Sequence, residues 1–358
     1  MLSLIVVVYN MRREALRSLF TLSASFQRGI AADEYEIIVV ENGSQLPLDP
    51  GTVRSLGDNI RYEFVDFGSP SPARAINHGA GLARGDWIGV IIDGARLASP
   101  GLLRWARAGL AAMPRSLVTT VSLDLGPDMQ LRTSGIGYDT EAEDDLLDSI
   151  DWRTDGYRLF RIAAFGSACD HGWFGRIAES NALFMSRTLF KEIGGYAEVF
   201  DIPAGGLVNH DTMIRAARSP ETTVLRLLGE ATFHQIHAGS GSSRPLNEAL
   251  TNFRVWREHY RAVRGAAFEK PAITPVFFGE LHPETLPLIA RSGQFALDRL
   301  LSGRAVANGT HPALKSLASS LRDHVPPPSM ARIMARFFVD PDSPPRQTTI
   351  EMTLGSAS

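Results

Sequence analysis

The residues best suited to chemistry stand where apolar runs stop. Tyr9-Asn10 follows the run at 4–8, Glu41-Asn42-Gly43-Ser44 follows 36–40, and Asp93-Gly94-Ala95 follows 87–92. Further on, His210-Asp211 opens a helical pattern and His234-Gln235-Ile236-His237 ends a strand-like one. Glu41 can accept the N3–H of uracil or the N1–H and N2–H of guanine, or it can face water as a turn carboxylate. Tyr9 can stack on or edge a base, or pack locally. Arg74 and Asn77 can reach phosphate or ribose, and Asn77 can equally fix its own loop by hydrogen bonds. Asp211 can take the proton of an attacking hydroxyl, or cap the helix it opens, with His210 as a second acceptor. On an extended strand His234 and His237 point to opposite faces, so they are not expected to bind one metal together. Trp173, in the irregular stretch Cys169-Asp170-His171-Gly172-Trp173, can offer a platform for an acceptor sugar or simply pack.

Regular elements must position these groups. The run 4–8 is β-branched and continuous, as is 36–40, which suits strands buried on both faces of a parallel sheet. Residues 60–65 alternate and predict a strand nearer an edge, and 87–92 and 116–125 predict two more buried strands. Between them, 12–26 carries a helical stripe, Ser71-Pro72 starts a helix running to about Arg84, and Pro100 opens another. This order implies an α/β, doubly wound, mostly parallel sheet. Beyond a looser stretch at 128–180, the patterns predict a strand at 181–186, a helix at 188–193 stopped by Gly194-Gly195, and a helix at 210–218. Strands at 223–228 and 230–237 follow. Residues 246–264 predict an amphipathic helix with Leu250, Phe253, Trp256 and Tyr260 on one face, then a mostly helical tail. The division expected is 1–245 as one domain in two halves, 1–125 and 126–245. A helical C-terminal extension at 246–340 and a flexible tail at 341–358 complete it. The acidic cluster Glu141-Ala142-Glu143-Asp144-Asp145 reads as a solvated surface segment.

Composition narrows the classes. The 358 residues are 44% hydrophobic and 21% charged, so the chain can bury a core. Lys and Arg number 36 against 39 Asp and Glu, a net charge of −3, which argues against a nucleic-acid-binding protein. Cys169 is the one cysteine, which excludes an intramolecular disulfide and a Cys-rich zinc module. No apolar run is long enough to span a bilayer, and the apolar start reads as a strand instead of a signal peptide. A cytoplasmic location is expected, with peripheral membrane association open. No glycine follows the first strand, and the glycines at 79, 81 and 85 precede a strand, so no dinucleotide fingerprint exists. No P-loop motif occurs.

The ordered series of strand ends resembles the family 2 glycosyltransferases of the GT-A fold over roughly residues 2–240. Those proteins end their first strand in T/V-Y-N and their second in D/E-D/N-G-S, then carry A-R-N-x-G-x-x-x-A-x-G ahead of a D-x-D strand. Here Asn77, Gly79, Ala83 and Gly85 keep that spacing, and Asp93 stands at the first Asp of D-x-D. The segment Asn181–Phe200 resembles the acceptor-side segment ending in G-G-F/Y-x-E-x-F. The resemblance implies a GT-A sheet and transfer of a sugar from a nucleotide-diphospho-sugar, such as a UDP-sugar, to a hydroxyl acceptor with inversion. It implies donor contacts from Tyr9, Asn10, Glu41, Asn42, Arg74, Asn77, Asp93, Gly94 and Ala95, and Asp211 as general base. Mn²⁺ or Mg²⁺ would sit on Asp93 and His237, with Trp173 and His210 on the acceptor side. Glu41, Asp93 and Asp211 are then expected to share one hollow. The acceptor would be a saccharide, a lipid-linked saccharide or a small molecule, with no nucleic acid involved and a role in polysaccharide biosynthesis. Ala95 replaces the second Asp of D-x-D, and the family's E-D pair is absent around Asp211, which leaves metal dependence open. A non-catalytic nucleotide- or sugar-binding relative and a nucleotidyltransferase are the alternatives.

Overall fold

The computed structural model describes residues 1–134, 137–176, 179–237, 246–271 and 273–301. Its strands are β1 (Leu2–Val8), β2 (Tyr35–Asn42), β3 (Ile60–Val65), β4 (Trp87–Ile91), β5 (Arg96–Ala98), β6 (Ser116–Leu125), β7 (Ala163–Phe165), β8 (Ala182–Ser186), β9 (Thr223–His234) and β10 (Val276–Gly279). They form one sheet in the order β10-β9-β6-β8-β4-β1-β2-β3, with β5 pairing β9 and β7 pairing β6. Pairings β1–β2, β1–β4, β2–β3, β6–β9 and β9–β10 are parallel, whereas β8, β5 and β7 run antiparallel to their neighbours.

The helices are α1 (Arg12–Leu22), α2 (Pro50–Arg54), α3 (Ala73–Leu82), α4 (Leu102–Ala112), α5 (Gln130–Thr133), α6 (Thr140–Asp148), α7 (Arg187–Glu192), α8 (Val208–Arg218), α9 (Leu246–Arg264) and α10 (Leu286–Leu301). Every residue of β1 is buried because both faces are covered. Leu2, Leu4, Val6 and Val8 pack with Leu19 and Leu22 of α1 and Leu103 and Leu110 of α4. Ile5 and Val7, pointing the other way, share a core with Ile76 of α3 and Met213 of α8. The glycine spacing that precedes β4 is a packing requirement. A Cβ on Gly79 would stand 2.8 Å from Ile5 Cγ2, and one on Gly85 would stand 2.3 Å from the Met1 carbonyl oxygen.

Several expectations change in the fold. The pattern at 223–237 is a single strand to His234, carried through Gly229 at φ +81° with a register shift between Thr119 and Val121 of its partner. A glycine that accommodates an irregularity had looked like a break between two strands. The acidic cluster is not simply a solvated segment. It lies in α6, capped by Asp139, and Glu143 is fully buried. On α9 the bounds agree with the predicted helix, but Tyr260 is buried while Leu250 is exposed, so the expected face is only partly covered. The region beyond α9 is not wholly helical, since β10 extends the main sheet across the boundary placed at 245. The tail at 341–358 and most of the extension beyond α10 lie outside the described residues.

Candidate active site

An open sheet of this kind places ligands beyond the carboxyl ends of its parallel strands. Asp93 lies just past β4, and the chain then turns back into β5, which sets Arg96 opposite His234 at the end of β9. Asp93 is held from two sides: Oδ2 accepts from Arg96 Nε at 2.9 Å and Oδ1 from the Ala95 N–H at 3.1 Å. Burial pushes its carboxyl up, but the Arg96 guanidinium foremost outweighs that and holds it at about 2. It is therefore an anion across the physiological range.

The two histidines meet. His234 Nε2 and His237 Nε2 are 3.1 Å apart, and with an Asp93 oxygen they give three ligand atoms all within 4.8 Å of one another. The expectation that they oppose each other fails because β9 stops at His234, so strand alternation does not extend to His237. His234, which the resemblance did not assign to the metal, is part of the cluster. Gln130 sets its tautomer. The Gln130 amide nitrogen donates to the His234 carbonyl at 2.9 Å, so Gln130 Oε1 is the acceptor facing His234 Nδ1 at 2.8 Å. Nδ1 then carries the proton and Nε2 presents its lone pair to the cluster. Burial is the first cause that depresses both imidazoles, joined by Arg96, so both are neutral and suited to coordination. Two imidazoles and a carboxylate fit a divalent ion of the Mn²⁺ kind better than Mg²⁺, which prefers oxygen ligands.

Ala95 is fully buried, and its carbonyl accepts the Gln235 N–H at 2.9 Å. The position of the second Asp of D-x-D is thus turned into the protein. Behind the cluster, the buried Arg96 also donates to Ser122 Oγ at 2.8 Å and faces Asp124 and Glu179. Burial raises both carboxyls, Asp124 to about 6, against the pull of Arg96. Sequence reasoning missed Gln130, Asp124, Glu179 and the pairing role of Arg96. Only Asp124 carried a signal, as a carboxylate at the end of a predicted strand.

Residues 3–93 match the family model described as Glycosyl transferase family 2. The match covers about a quarter of the chain. The match ends on Asp93, and the curled, mostly parallel mixed sheet is of the GT-A type. No curated protein sequence matches the chain. Among solved structures it is similar to the mannosyltransferase PcManGT from Pyrobaculum calidifontis in complex with GDP-Man and Mn²⁺. There the TM-score is 0.45 and the identity 16%, over 94% of this chain and 84% of that one. It is similar also to S. aureus TarS 1-349 in complex with UDP, with a TM-score of 0.44 and 13% identity, over 90% and 87%.

The predicted donor residues fall into two groups. Tyr9 is 55% exposed, and Asn10 at φ +51° ties the first two strand-end loops, donating its N–H to Ser44 Oγ and accepting from the Gln45 N–H, both at 2.8 Å. Arg74 is partly exposed, 3.6 Å from Glu198. The others face inward. Glu41 is 1% exposed, and its Oε2 accepts from the Leu48 N–H and the Tyr62 hydroxyl. Asn42 accepts from the Phe67 N–H at 3.1 Å, and Gly94 packs against Val8 and Ala15. Asn77 binds both main-chain groups of Tyr196, accepting at 2.9 Å and donating at 2.8 Å, which fixes the turn after Gly194-Gly195.

The Ile92 N–H donates to the Asn181 carbonyl at 3.0 Å, and Asn209 of α8 donates to Asn181 Oδ1 at 2.8 Å. The first turn of α8 is thereby linked to the strand end that leads to Asp93. Asp211, in the same turn, does not face that way as a free carboxylate. Its side chain is 2% exposed, with Arg264 Nε and Nη2 each at 2.6 Å and Arg215 Nε at 2.8 Å. Of Glu41, Asp93 and Asp211, only Asp93 enters the cluster; the other two are held in networks of their own. His210 Nδ1 lies 3.1 Å from Ser180 Oγ, and burial, with Lys270 nearby, lowers it to about 4. Trp173, the expected acceptor platform, is fully buried, with Nε1 donating to the Glu230 carbonyl at 3.3 Å. No helix among the described residues is long and apolar enough to cross a membrane.

Proposed function

We propose that the protein transfers a sugar from a nucleoside-diphosphate donor to a hydroxyl acceptor, with inversion. In this reading Asp93, His234 and His237 hold a divalent cation. The observation that carries it is the convergence of three ligand atoms within 4.8 Å at the strand end where the family match stops. A divalent cation bound there would offset the charge that builds on the departing diphosphate. The chain's own groups prepare the place. Arg96 keeps Asp93 ionised, Gln130 keeps the His234 Nε2 lone pair inward, and burial keeps both imidazoles neutral.

Tyr9 and Arg74, the more exposed of the expected donor contacts, are assigned to base and phosphate. For Asp211 we favour a positioning role, because an acceptor alcohol would have to displace two arginines to reach it. The Asn181–Asn209 contact then sets the acceptor side. The test is a panel of UDP-, GDP-, CDP- and TDP-sugars, with and without Mn²⁺, read as calorimetric binding and as nucleoside diphosphate released. Binding and slow release that stop with Asp93→Asn support transfer. Binding without release points to the non-catalytic relative, and no binding by any donor refutes the reading.

A further inference from the structure

We propose that Glu143, together with Arg13, positions His237: the buried carboxylate and the partly exposed guanidinium grip the main chain of Ile236 and so set the bend that carries the second histidine to the first. The proposal rests on the reading of Asp93, His234 and His237 as a cation site.

His237 lies three residues past the last residue of β9, beyond the reach of the strand's own ladder. Its approach to His234 must be imposed by other contacts. At Gln235 the N–H donates to the Ala95 carbonyl at 2.9 Å, while the side-chain amide donates to the Glu14 carbonyl and Ser18 Oγ, each at 3.1 Å. These anchor the start of the bend on α1. At Ile236 both main-chain polar groups are taken by the pair: the N–H donates to Glu143 Oε2 at 2.7 Å, and the carbonyl accepts from Arg13 Nη1 at 3.5 Å. The second oxygen of Glu143 accepts from Arg13 Nη2 at 3.2 Å.

Neither partner can drift with the loop. Arg13 also donates to Glu14 at 2.9 Å and the Thr140 carbonyl at 3.0 Å, and it pairs with Asp144. Glu143 is fully buried on α6, which is anchored at its start by Asp139. A buried peptide N–H that loses its acceptor must find another, and the main chain moves to do so. The segment that would move ends in His237, whose Nε2 must stay 3.1 Å from that of His234. Outer partners of ligating histidines act in this manner, by fixing where the ring stands.

Mn²⁺ binding to the full chain, followed by the electron paramagnetic resonance of the free ion, tests the role directly. Glu143→Ala is expected to weaken Mn²⁺ binding by about 10- to 100-fold, the range typical of lost outer partners. Glu143→Gln, whose amide oxygen still accepts the Ile236 N–H, is expected to stay within about threefold of wild type. If Glu143→Ala does not fold, Glu143→Asp carries the test, since the shorter side chain cannot span both Arg13 and Ile236. Wild-type affinity in the Ala or Asp variant overturns the proposal, as does a Gln variant as weak as the Ala one. A wild-type chain that binds no Mn²⁺ removes the cation site itself, and the positioning role with it.

Discussion

Asp211 separates two accounts of the acceptor side, and its removal distinguishes them. As a general base it would be needed for turnover and expendable for folding. As the partner of Arg215 and Arg264 it joins α8 to α9, and its loss leaves two guanidinium groups facing a dry site. Removing one partner of a buried pair costs roughly 3–5 kcal/mol. Arg215 and Arg264 are 23% and 33% exposed and can recover some hydration, so the lower end applies, about 3 kcal/mol. For a chain of this size each kcal/mol moves the melting temperature by about 1–2 °C, so Asp211→Ala should melt roughly 3–6 °C below wild type. Arg264→Ala leaves Asp211 paired with Arg215 and should fall by less. Thermal unfolding followed by circular dichroism gives both values, and donor hydrolysis well below the variants' melting temperatures gives the second readout. A melting temperature of Asp211→Ala within about 2 °C of wild type, with turnover abolished, would refute the structural account and restore the general base.

Three further outcomes follow from groups outside the cluster. Glu230 is buried against the Tyr157 hydroxyl and the Gly101 N–H, and burial outweighs these donors to raise its carboxyl to about 7. Its folded pKa lies above the unfolded value, so its contribution is complete below about pH 4.3 and lost as pH rises through 7. Glu230→Gln should therefore gain on wild type by on the order of 3 kcal/mol between pH 4 and pH 8 in denaturant titrations; parallel pH profiles would exclude the shift. Asn77→Ala strands both main-chain groups of Tyr196 and should cost about 1–3 kcal/mol with donor affinity unchanged, whereas weaker donor binding at equal stability would place Asn77 on the nucleotide. Trp173→Phe should lower the melting temperature and leave the KM of the acceptor unaltered; a raised KM alone would return Trp173 to the acceptor pocket.

Much of the frame was legible because its signals are local. Short apolar runs marked β1, β2 and β4, and the helical stripe at 246–264 has the bounds of α9. Strand direction leaves no trace in periodicity, so β8 gave no sign of running antiparallel. At the site, Asp93 and His237 could be picked out by position, but the pairing of His237 with His234 depends on where β9 stops. Glu143 looked like one acid among several, because its partner Arg13 lies 130 residues away. The surroundings of Asp211 were hidden for the same reason: its identity suggests a base, while Arg264, 53 residues on, pairs with it. Glu41 and Asn77 keep the spacing on which the resemblance rests, and contacts within the fold occupy Glu41 Oε2 and the Asn77 amide.

The central claim is that Asp93, His234 and His237 bind one divalent ion for the donor diphosphate. Calorimetric titration of Mn²⁺ into the wild-type chain and into His234→Ala, with and without UDP and GDP, tests it most directly. The account predicts one Mn²⁺ per chain, tighter with a nucleoside diphosphate present and weakened at least tenfold in the variant. Equal Mn²⁺ binding by wild type and His234→Ala would contradict it.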